Sequence, residues 1–476
     1  MKKISLSIVV ATVVSGSLFA DEAAMQAQIN MLMQKIEKLE KAQGIVQENQ
    51  TELKETQVTQ GDILSKVNSQ SANDNIKWDI DFRSAYHNIG YQYADNAKTR
   101  TGVSDSLAGK NFSNPSLLTN RLWLGMGSKV NDNLFFNGQL AAYYNWGADT
   151  NVAEDKIWQE SSRPNDVTVR LRQAYLVYKF GQDSDVPINA SVGRRAATDG
   201  FLANHREGTQ DTGSPLAHIT NMEIDGAMMQ FNLDKVFLPG SYLKVVYGRA
   251  HDPVNRDTPT PYIDVNTSDA DNQVDFIILP MSIYDNGQNK LMAQYSMIMN
   301  SKGERISDNA IKTASGTTHL AALSYQLDGL NEDIDFLDNS TVFASIAMTS
   351  TNPNNGYRML GSTENQTGYS FWAGFLFPDM MTNGGRFGVE YNYGSKYWSP
   401  MTWAEDTAIG SKIATRGNAY EGYWNIPIVG KNLSAQLRYT YLDHHYRANT
   451  TCYWDNPLYP NLDHSQELRA FVRYQY

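Results

Sequence analysis

Apolar and polar residues alternate along much of the chain and predict β-strands with two chemically different faces. In the last nine residues, one face is apolar and aromatic: Leu468, Ala470, Val472, Tyr474 and Tyr476. The opposite face carries Arg469, Phe471, Arg473 and Gln475. The same alternation occurs in 76–83, 386–393 and 435–441. Such strands suit lipid on one side and water on the other, as in a membrane barrel.

Sixteen alternating segments are predicted, and their links differ in length. The approximate strand ranges are 76–92, 116–130, 134–146, 167–180, 187–195, 222–233, 241–250, 273–283, 289–300, 318–328, 339–350, 367–376, 385–396, 419–427, 432–446 and 465–476. Short links at 131–133, 285–288 and 430–432 contain turn residues and are expected in the periplasm. The long links are expected outside the cell: 196–221, 251–272, 397–418 and 447–464. The fold class is therefore all-β, a transmembrane antiparallel β-barrel over 76–476 that is preceded by an α-helical coiled coil.

The first 20 residues have the pattern of a secretory signal peptide. Lys2 and Lys3 precede the apolar run 4–14, small residues lead to Ala20, and an acidic pair follows. The run is too short for a spanning helix. We therefore predict export, with the protein in the outer membrane of a Gram-negative bacterium and its N-terminal segment in the periplasm.

Residues 21–67 form the predicted coiled-coil segment. Apolar residues and Gln recur at two heptad positions between 25 and 67, and no proline interrupts them. A narrow apolar stripe predicts self-association, and a homotrimer is favoured by analogy with trimeric porins. An isolated helix or a flexible linker is the alternative. Residues 68–75, rich in Ser, Asn and Asp, read as a hinge, and the coil is a candidate contact for a periplasmic or cell-wall partner.

Composition fits a barrel exposed to lipid and water. The chain has 27 Tyr, 9 Trp and 17 Phe, and aromatic residues gather where membrane strands meet headgroups. A net charge of −11 argues against nucleic acid as a partner. The one cysteine, Cys452, excludes an intramolecular disulfide framework.

Arginines mark the predicted inner faces, because Arg at the lipid midplane costs roughly 2 to 4 kcal/mol. The predicted pore-lining residues of the wall are Arg83, Arg121, Arg170, Arg172, Arg386, Glu390, Arg438, Arg469 and Arg473. Strands 13, 15, 16 and 1 adjoin in a closed barrel, so their arginines are expected to form a basic wall. The alternative is that they pair with Asp79, Asp81, Glu390 and Glu467 and only stiffen the wall.

Sequence motifs for catalysis, metal or cofactor binding are not found. The chain has no Gly-rich phosphate loop, no His-Glu-x-x-His helix and no Cys-x-x-Cys pair. His444 and His445 are adjacent on a strand and point to opposite faces, so shared metal ligation is awkward. We expect a protein that is not an enzyme and holds neither a metal nor a cofactor.

The run 192–200, Val-Gly-Arg-Arg-Ala-Ala-Thr-Asp-Gly, and the run 221–226, Asn-Met-Glu-Ile-Asp-Gly, carry a resemblance. Together with the layout of rod and barrel, they resemble an uncharacterised porin-like outer-membrane family of epsilon-class proteobacteria. The chain also resembles sixteen-stranded porin-like barrels, which implies a third outer loop that folds inward and narrows the pore. A loop that covers the outer mouth is the alternative. Pore-lining residues expected from the inward loop are Arg195, Asp199, Glu207 and Asp211. Its carboxylates would then face the arginine wall and create a transverse field.

The function favoured by the sequence is a porin, a water-filled channel in outer-membrane lipid for passive diffusion of small hydrophilic solutes or ions, with anions preferred. Two alternatives stay open. One is a structural or adhesive protein tethered through its coiled coil. The other is a barrel sheath around an electron carrier, whose haems a partner chain would supply because the sequence has no Cys-x-x-Cys-His.

Overall fold

The computed structural model describes residues 76–146, 168–195, 200–209, 213–251, 273–402, 407–448 and 455–476. The predicted signal peptide, coiled coil and hinge lie outside the described residues. Asp199 and Asp211, the two loop carboxylates of the predicted pore lining, also lie outside them.

Sixteen long strands form the wall. They are β1 Lys77–Tyr93, β2 Asn111–Lys129, β3 Leu134–Asn145, β4 Thr168–Phe180, β5 Ile188–Arg195, β6 Ile224–Asn232, β7 Tyr242–His251, β8 Val274–Asp285, β9 Asn289–Arg305, β10 Ile311–Asp328, β11 Thr341–Pro353, β12 Gln366–Pro378, β13 Arg386–Gly394, β14 Gly417–Val429, β15 Leu433–His444 and β16 Leu462–Gln475. Every predicted segment corresponds to one of them.

The wall closes on itself. Each strand pairs antiparallel with its neighbours in chain order, and β1 also pairs with β16. This seam runs from Asp81 opposite Gln475 to Tyr93 opposite Leu462. Ile80 and Tyr476 extend it with two backbone hydrogen bonds of 3.0 and 2.9 Å. Closure leaves the wall without a free edge, so the sixteen-stranded antiparallel barrel predicted from the sequence is confirmed.

The two faces of each strand have the chemistry that the alternation predicts. On β16, Leu468, Val472 and Tyr474 are exposed on the outside, whereas Arg469 and Arg473 are buried. Side chains at every second position share a face, so the register carries this division around the wall. The outer face is apolar and suited to lipid, while charged and polar residues collect inside.

Strand ends differ most from the predicted ranges where β9 meets β10. β9 continues to Arg305 and β10 begins at Ile311, where the sequence pattern indicated 300 and 318. The added residues are mostly polar and lack the alternation of a lipid-facing strand. The register shifts between Ile298 and Ser301, and the short strand Tyr357–Arg358 pairs with the end of β9. Hydrogen bonding between neighbouring strands, rather than burial against lipid, holds this extension.

Helical structure in the described part of the chain is limited to α1, the single turn Asp335–Asp338. None of the described helices is long and apolar enough to cross a membrane. Two further pairs of short strands belong to long connections. Gly200–Phe201 pairs parallel with Gly213–Leu216, and Thr220–Asn221 pairs parallel with Met401–Thr402.

Candidate functional site in the barrel interior

The connection between β5 and β6, here the β5–β6 loop, enters the lumen. Gln294 on the inner face of β9 accepts a hydrogen bond of 2.7 Å from the backbone N–H of Leu216. The same amide donates to Thr220 Oγ1 at 2.8 Å. On the other side, Gln436 of β15 donates to the carbonyl of Arg206 at 2.6 Å. Contacts to β9 and to β15 show that the loop lies between facing parts of the wall.

Apolar packing fills the lumen beside β8 to β12. The loop residues Phe201, Leu202, Leu216 and Ile219 are fully buried. They belong to one cluster with inward side chains of the wall: Phe276, Ile278, Ile298, Leu320, Phe343 and Trp372. Fully burying an aliphatic or aromatic side chain contributes about 1.5–3 kcal/mol. This part of the loop is therefore a packed core and leaves no room for solute.

His218 anchors the loop within this core. Its two ring nitrogens lie 2.6 Å from the hydroxyl of Ser345 and 2.9 Å from that of Ser370. The edges of Trp372 and Trp398 contact the ring. Burial lowers the pKa of His218 to about 3, so the imidazole is neutral near physiological pH.

The connection between β13 and β14, here the β13–β14 loop, also enters the lumen. The ammonium of Lys412 lies 2.5 Å from Glu390 and also contacts Glu421. Both carboxylates are on inner faces of the wall, and Trp372 Nε1 donates to Glu390 at 2.8 Å. The buried Arg416 donates through Nε to the carbonyl of Trp398 at 2.8 Å. Glu390, a predicted pore-lining residue, thus contacts a lysine of the loop.

A buried arginine–carboxylate cluster occupies the seam side of the lumen. We define it as Arg83, Arg438, Arg473, Asp81 and Glu207. In the register, Arg83 lies opposite Arg473 of β16 on one side and Arg121 of β2 on the other. Asp81 accepts from Arg473 at 2.6 Å and from Arg121 at 3.2 Å. The predicted adjacency of the arginines is present, with carboxylates interleaved among them.

Glu207 supplies the negative charge that the β5–β6 loop contributes to this cluster. Its carboxylate lies 3.7 Å from Arg438 and 4.0 Å from Arg83. Arg206 approaches it to 3.2 Å. Burial alone would raise the pKa of Glu207, but Arg206, Arg438 and Arg83 hold that pKa well below its usual range. Glu207 therefore stays ionised in direct contact with the arginines, rather than facing them across water.

Two predicted arginines lie apart from this contact. Arg469 is opposite Arg438 on the neighbouring strand and is fully buried next to the ring of Phe471. Arg386 donates to the carbonyl of Asn339 at 3.0 Å and to Thr341 Oγ1 at 3.1 Å. Arg386 therefore sits at the β10–β11 turn, at the end of the barrel that carries the short connections.

A second group of cations lines β2, β4 and β5. We define the aromatic–arginine track as Arg121, Trp123, Arg172, Tyr175 and Arg195. The guanidinium carbons of Arg121 and Arg172 lie 3.6 and 3.8 Å from the ring centre of Trp123. That of Arg195 lies 4.2 Å from the ring centre of Tyr175. Contact of this kind holds a guanidinium over a ring, and its N–H groups still form hydrogen bonds: Arg121 with Asp81, Arg172 with Glu223 and Gln139, and Arg195 with Ser191.

Solvent reaches part of the track: Arg121 is buried like the cluster, and the side chain of Arg172 is 11% exposed. Trp123, Tyr175 and Arg195 are half-buried, and Arg170, inward on β4, is exposed. The inward Tyr143, whose hydroxyl accepts from Trp123 Nε1 at 3.0 Å, is 45% exposed. Arg83 and Arg438 of the cluster are 3% and 1% exposed. Water thus reaches the interior along β2 to β5.

Sequence reasoning missed Lys412, Arg206 and Trp123. Lys412 and Arg206 occur in long connections, and no local pattern distinguishes a loop charge that turns inward from one in solvent. Trp123 had a usable signal, because it follows Arg121 by two residues and therefore shares its face.

The chain is similar to one described protein family and to several solved structures. A family model described as "Protein of unknown function (DUF3373)" matches residues 111–458. The chain is similar to OprB of Pseudomonas putida, at 12% identity over 87% of this chain and 97% of that one, with a TM-score of 0.46. It is similar to OmpF of Salmonella typhi, at 14% identity over 85% and 99%, with a TM-score of 0.43. It is also similar to the outer membrane channel DcaP of Acinetobacter baumannii, at 14% identity over 84% and 97%, with a TM-score of 0.41. No curated protein matches the sequence.

Proposed function

We propose that this chain, which belongs to the family of proteins of unknown function DUF3373, is an outer-membrane porin. It forms a water-filled channel through which small hydrophilic solutes and ions diffuse passively, and it prefers anions. The observation that carries the proposal is the closed barrel with an apolar outer face and charged residues inside that solvent reaches along β2 to β5.

The two inward loops support a restricted passage. The β5–β6 and β13–β14 loops pack on each other through the pairing of Thr220–Asn221 with Met401–Thr402. Together they cover the wall from β8 to β14 and leave the β2 to β5 side accessible to water. A path along one side of the lumen is narrower than an empty sixteen-stranded barrel, which favours small solutes over large ones.

Charge along the accessible side supports the preference for anions. Arg170, Arg172 and Arg195 face this side, and among them Arg172 contacts the carboxylate of Glu223 at 3.1 Å. Glu223 is about half exposed, so water screens this pair. Arginines lining a path attract anions and repel cations over short distances. The pore-lining set that we propose therefore centres on these three residues, while Arg83, Arg438, Arg469 and Arg473 hold the loop and the wall.

The proposal includes self-association through the heptads of 21–67, with a trimer favoured, and a periplasmic position for that segment. A tether or adhesin would need no solvent path inside the barrel. An electron-carrier sheath would need an interior free for a haem-bearing partner, whereas the two loops occupy much of this lumen.

Single-channel recording in a planar bilayer tests the channel. We expect stepwise openings from purified, folded protein, in groups of three if the assembly is a trimer. Vesicle swelling with neutral sugars of increasing size should show a sharp size limit. Folded protein that inserts into the bilayer without conducting would reject the porin and favour the tether.

A further inference from the structure

We propose that the aromatic–arginine track is a binding site for small organic carboxylates, with Arg172 and Arg195 as the recognising groups. The inference rests on the proposed channel function and adds the class of solute that the channel selects. The arginines of β4 and β5 recognise the solute. The buried arginines at the seam do not contact it.

The inward direction of Arg195 follows from the register and from its contacts. Ser191 is opposite Val177, which is opposite Phe135, and Phe135 is opposite Lys129 on the inner face of β2. Arg195 is four residues from Ser191 and shares that face. Its side chain turns back along the strand, and its Nε donates to Ser191 Oγ at 3.1 Å. Arg194, the preceding residue, points outward and forms two hydrogen bonds of 2.9 and 2.8 Å with Asp225.

Arg195 and Arg172 are neighbours on adjacent strands. Tyr175 lies opposite Gly193, so Arg195 falls opposite Gln173, next to Arg172. The register of β3 and β4 shifts at this point, because Gln139 and Leu140 pair with Gln173 and Leu171 and leave Arg172 as an extra residue. This bulge turns Arg172 inward, where Nη1 donates to Gln139 Oε1 at 2.5 Å. Bulges commonly re-aim a side chain in this way.

The wall beside Arg195 contains two glycines in close contact with neighbouring backbone. Tyr175, Gly193 and Gly226 lie in one register row across β4, β5 and β6. Gly193 has φ of +128°, and an added Cβ there would lie 2.2 Å from the carbonyl oxygen of Ala174. A Cβ on Gly226 would lie 2.3 Å from the carbonyl oxygen of Tyr247. Only glycine fits at these two positions, so no side chain from this row of β5 or β6 covers the guanidinium of Arg195.

The chemistry of this arrangement fits a carboxylate. A guanidinium is a planar group of N–H donors, which matches the two oxygens of a carboxylate. Arg195 donates through Nε and Nη2 to the neutral hydroxyl of Ser191, so an incoming anion adds charge compensation at this guanidinium. The exposed ring of Tyr143 offers an apolar surface for the organic part of the solute.

Benzoate and benzamide are matched probes, because they share a shape and differ in charge. In low-salt single-channel recordings, benzoate should interrupt the current in a concentration-dependent way, whereas benzamide should not. Arg195→Gln and Arg172→Gln should each weaken this effect about ten- to a hundredfold, as expected for a lost charged hydrogen bond. Arg194→Gln is the matched control, because it removes the same charge from the adjacent, outward position and should leave the effect unchanged.

Calorimetric titration of benzoate into folded protein in detergent separates the site from the channel. The protein could bind benzoate without conducting, with binding lost in Arg195→Gln and kept in Arg194→Gln. That result would uphold the site and reject the porin. A conducting channel that benzoate and benzamide affect equally would overturn the site and leave the porin intact. Equal effects of benzoate on the Arg194→Gln and Arg195→Gln channels would also overturn the site. Arg172→Gln gives an independent second variant if Arg195→Gln does not fold.

Discussion

Asp81 of β1 and Arg473 of β16 bridge the seam that closes the barrel, with a shortest distance of 2.6 Å between carboxylate and guanidinium. Asp81 also accepts from Arg121 of β2, so one carboxylate links the last strand of the chain to its first two. All three side chains are buried inside the wall. The first and last strands are thus joined by side chains as well as by the backbone ladder.

Replacing Asp81 by Asn should destabilise the closed barrel, because Arg121 and Arg473 would remain buried without their shared anion. Breaking a buried ion pair by removing one partner costs about 3–5 kcal/mol. Urea unfolding in lipid vesicles measures the free energy of unfolding. Asp79→Asn is the control, since Asp79 is exposed on the same strand and face, and its change should stay within about 0.5 kcal/mol. Equal effects of both variants would show that the seam does not depend on Asp81.

Replacing Lys412 by Met should release the β13–β14 loop from the wall. Glu390 and Glu421 would be left as two buried carboxylates without the ammonium that holds them. Hydration of these groups favours displacement of the loop, so single-channel conductance should rise above that of the wild type. Lys396→Met is the matched control, because Lys396 lies in the same connection against the ring of Tyr397. A folded Lys412→Met variant with unchanged conductance would contradict this role.

Acid should weaken the anchoring of the β5–β6 loop through His218. The pKa of His218 is lowered by burial from 6.5 to about 3 in the folded protein. Stability is therefore fully present above pH 6.5 and falls as the pH drops toward 3, because only the unfolded or released loop takes up the proton. The slope contributed by this group is at most about 1.4 kcal/mol per pH unit.

His218→Gln tests this linkage, since the amide can bond the two serine hydroxyls without titrating. Thermal midpoints measured across that pH range should depend less on pH in the variant than in the wild type. Parallel pH profiles would assign the acid sensitivity to other groups.

The wall was predictable from the sequence because lipid and water impose a two-residue period on each strand. β16 shows this most directly, as each of its alternating residues lies on the expected face. The adjacency of Arg83 and Arg473 also followed, since closure brings the first and last strands together. In contrast, nothing local in the sequence indicates that Glu207 contacts Arg438, or that Lys412 joins Glu390 to Glu421. Those contacts depend on how two loops pack inside a closed wall, and on which arginines remain open to water as a result.

The reversal potential of single channels across a KCl gradient tests the central claim most directly. The accessible arginines of β4 and β5 predict a potential displaced toward the equilibrium potential of chloride, and a smaller displacement in Arg172→Gln and Arg195→Gln. A potential near zero, or one displaced toward that of potassium, would contradict an anion-preferring channel.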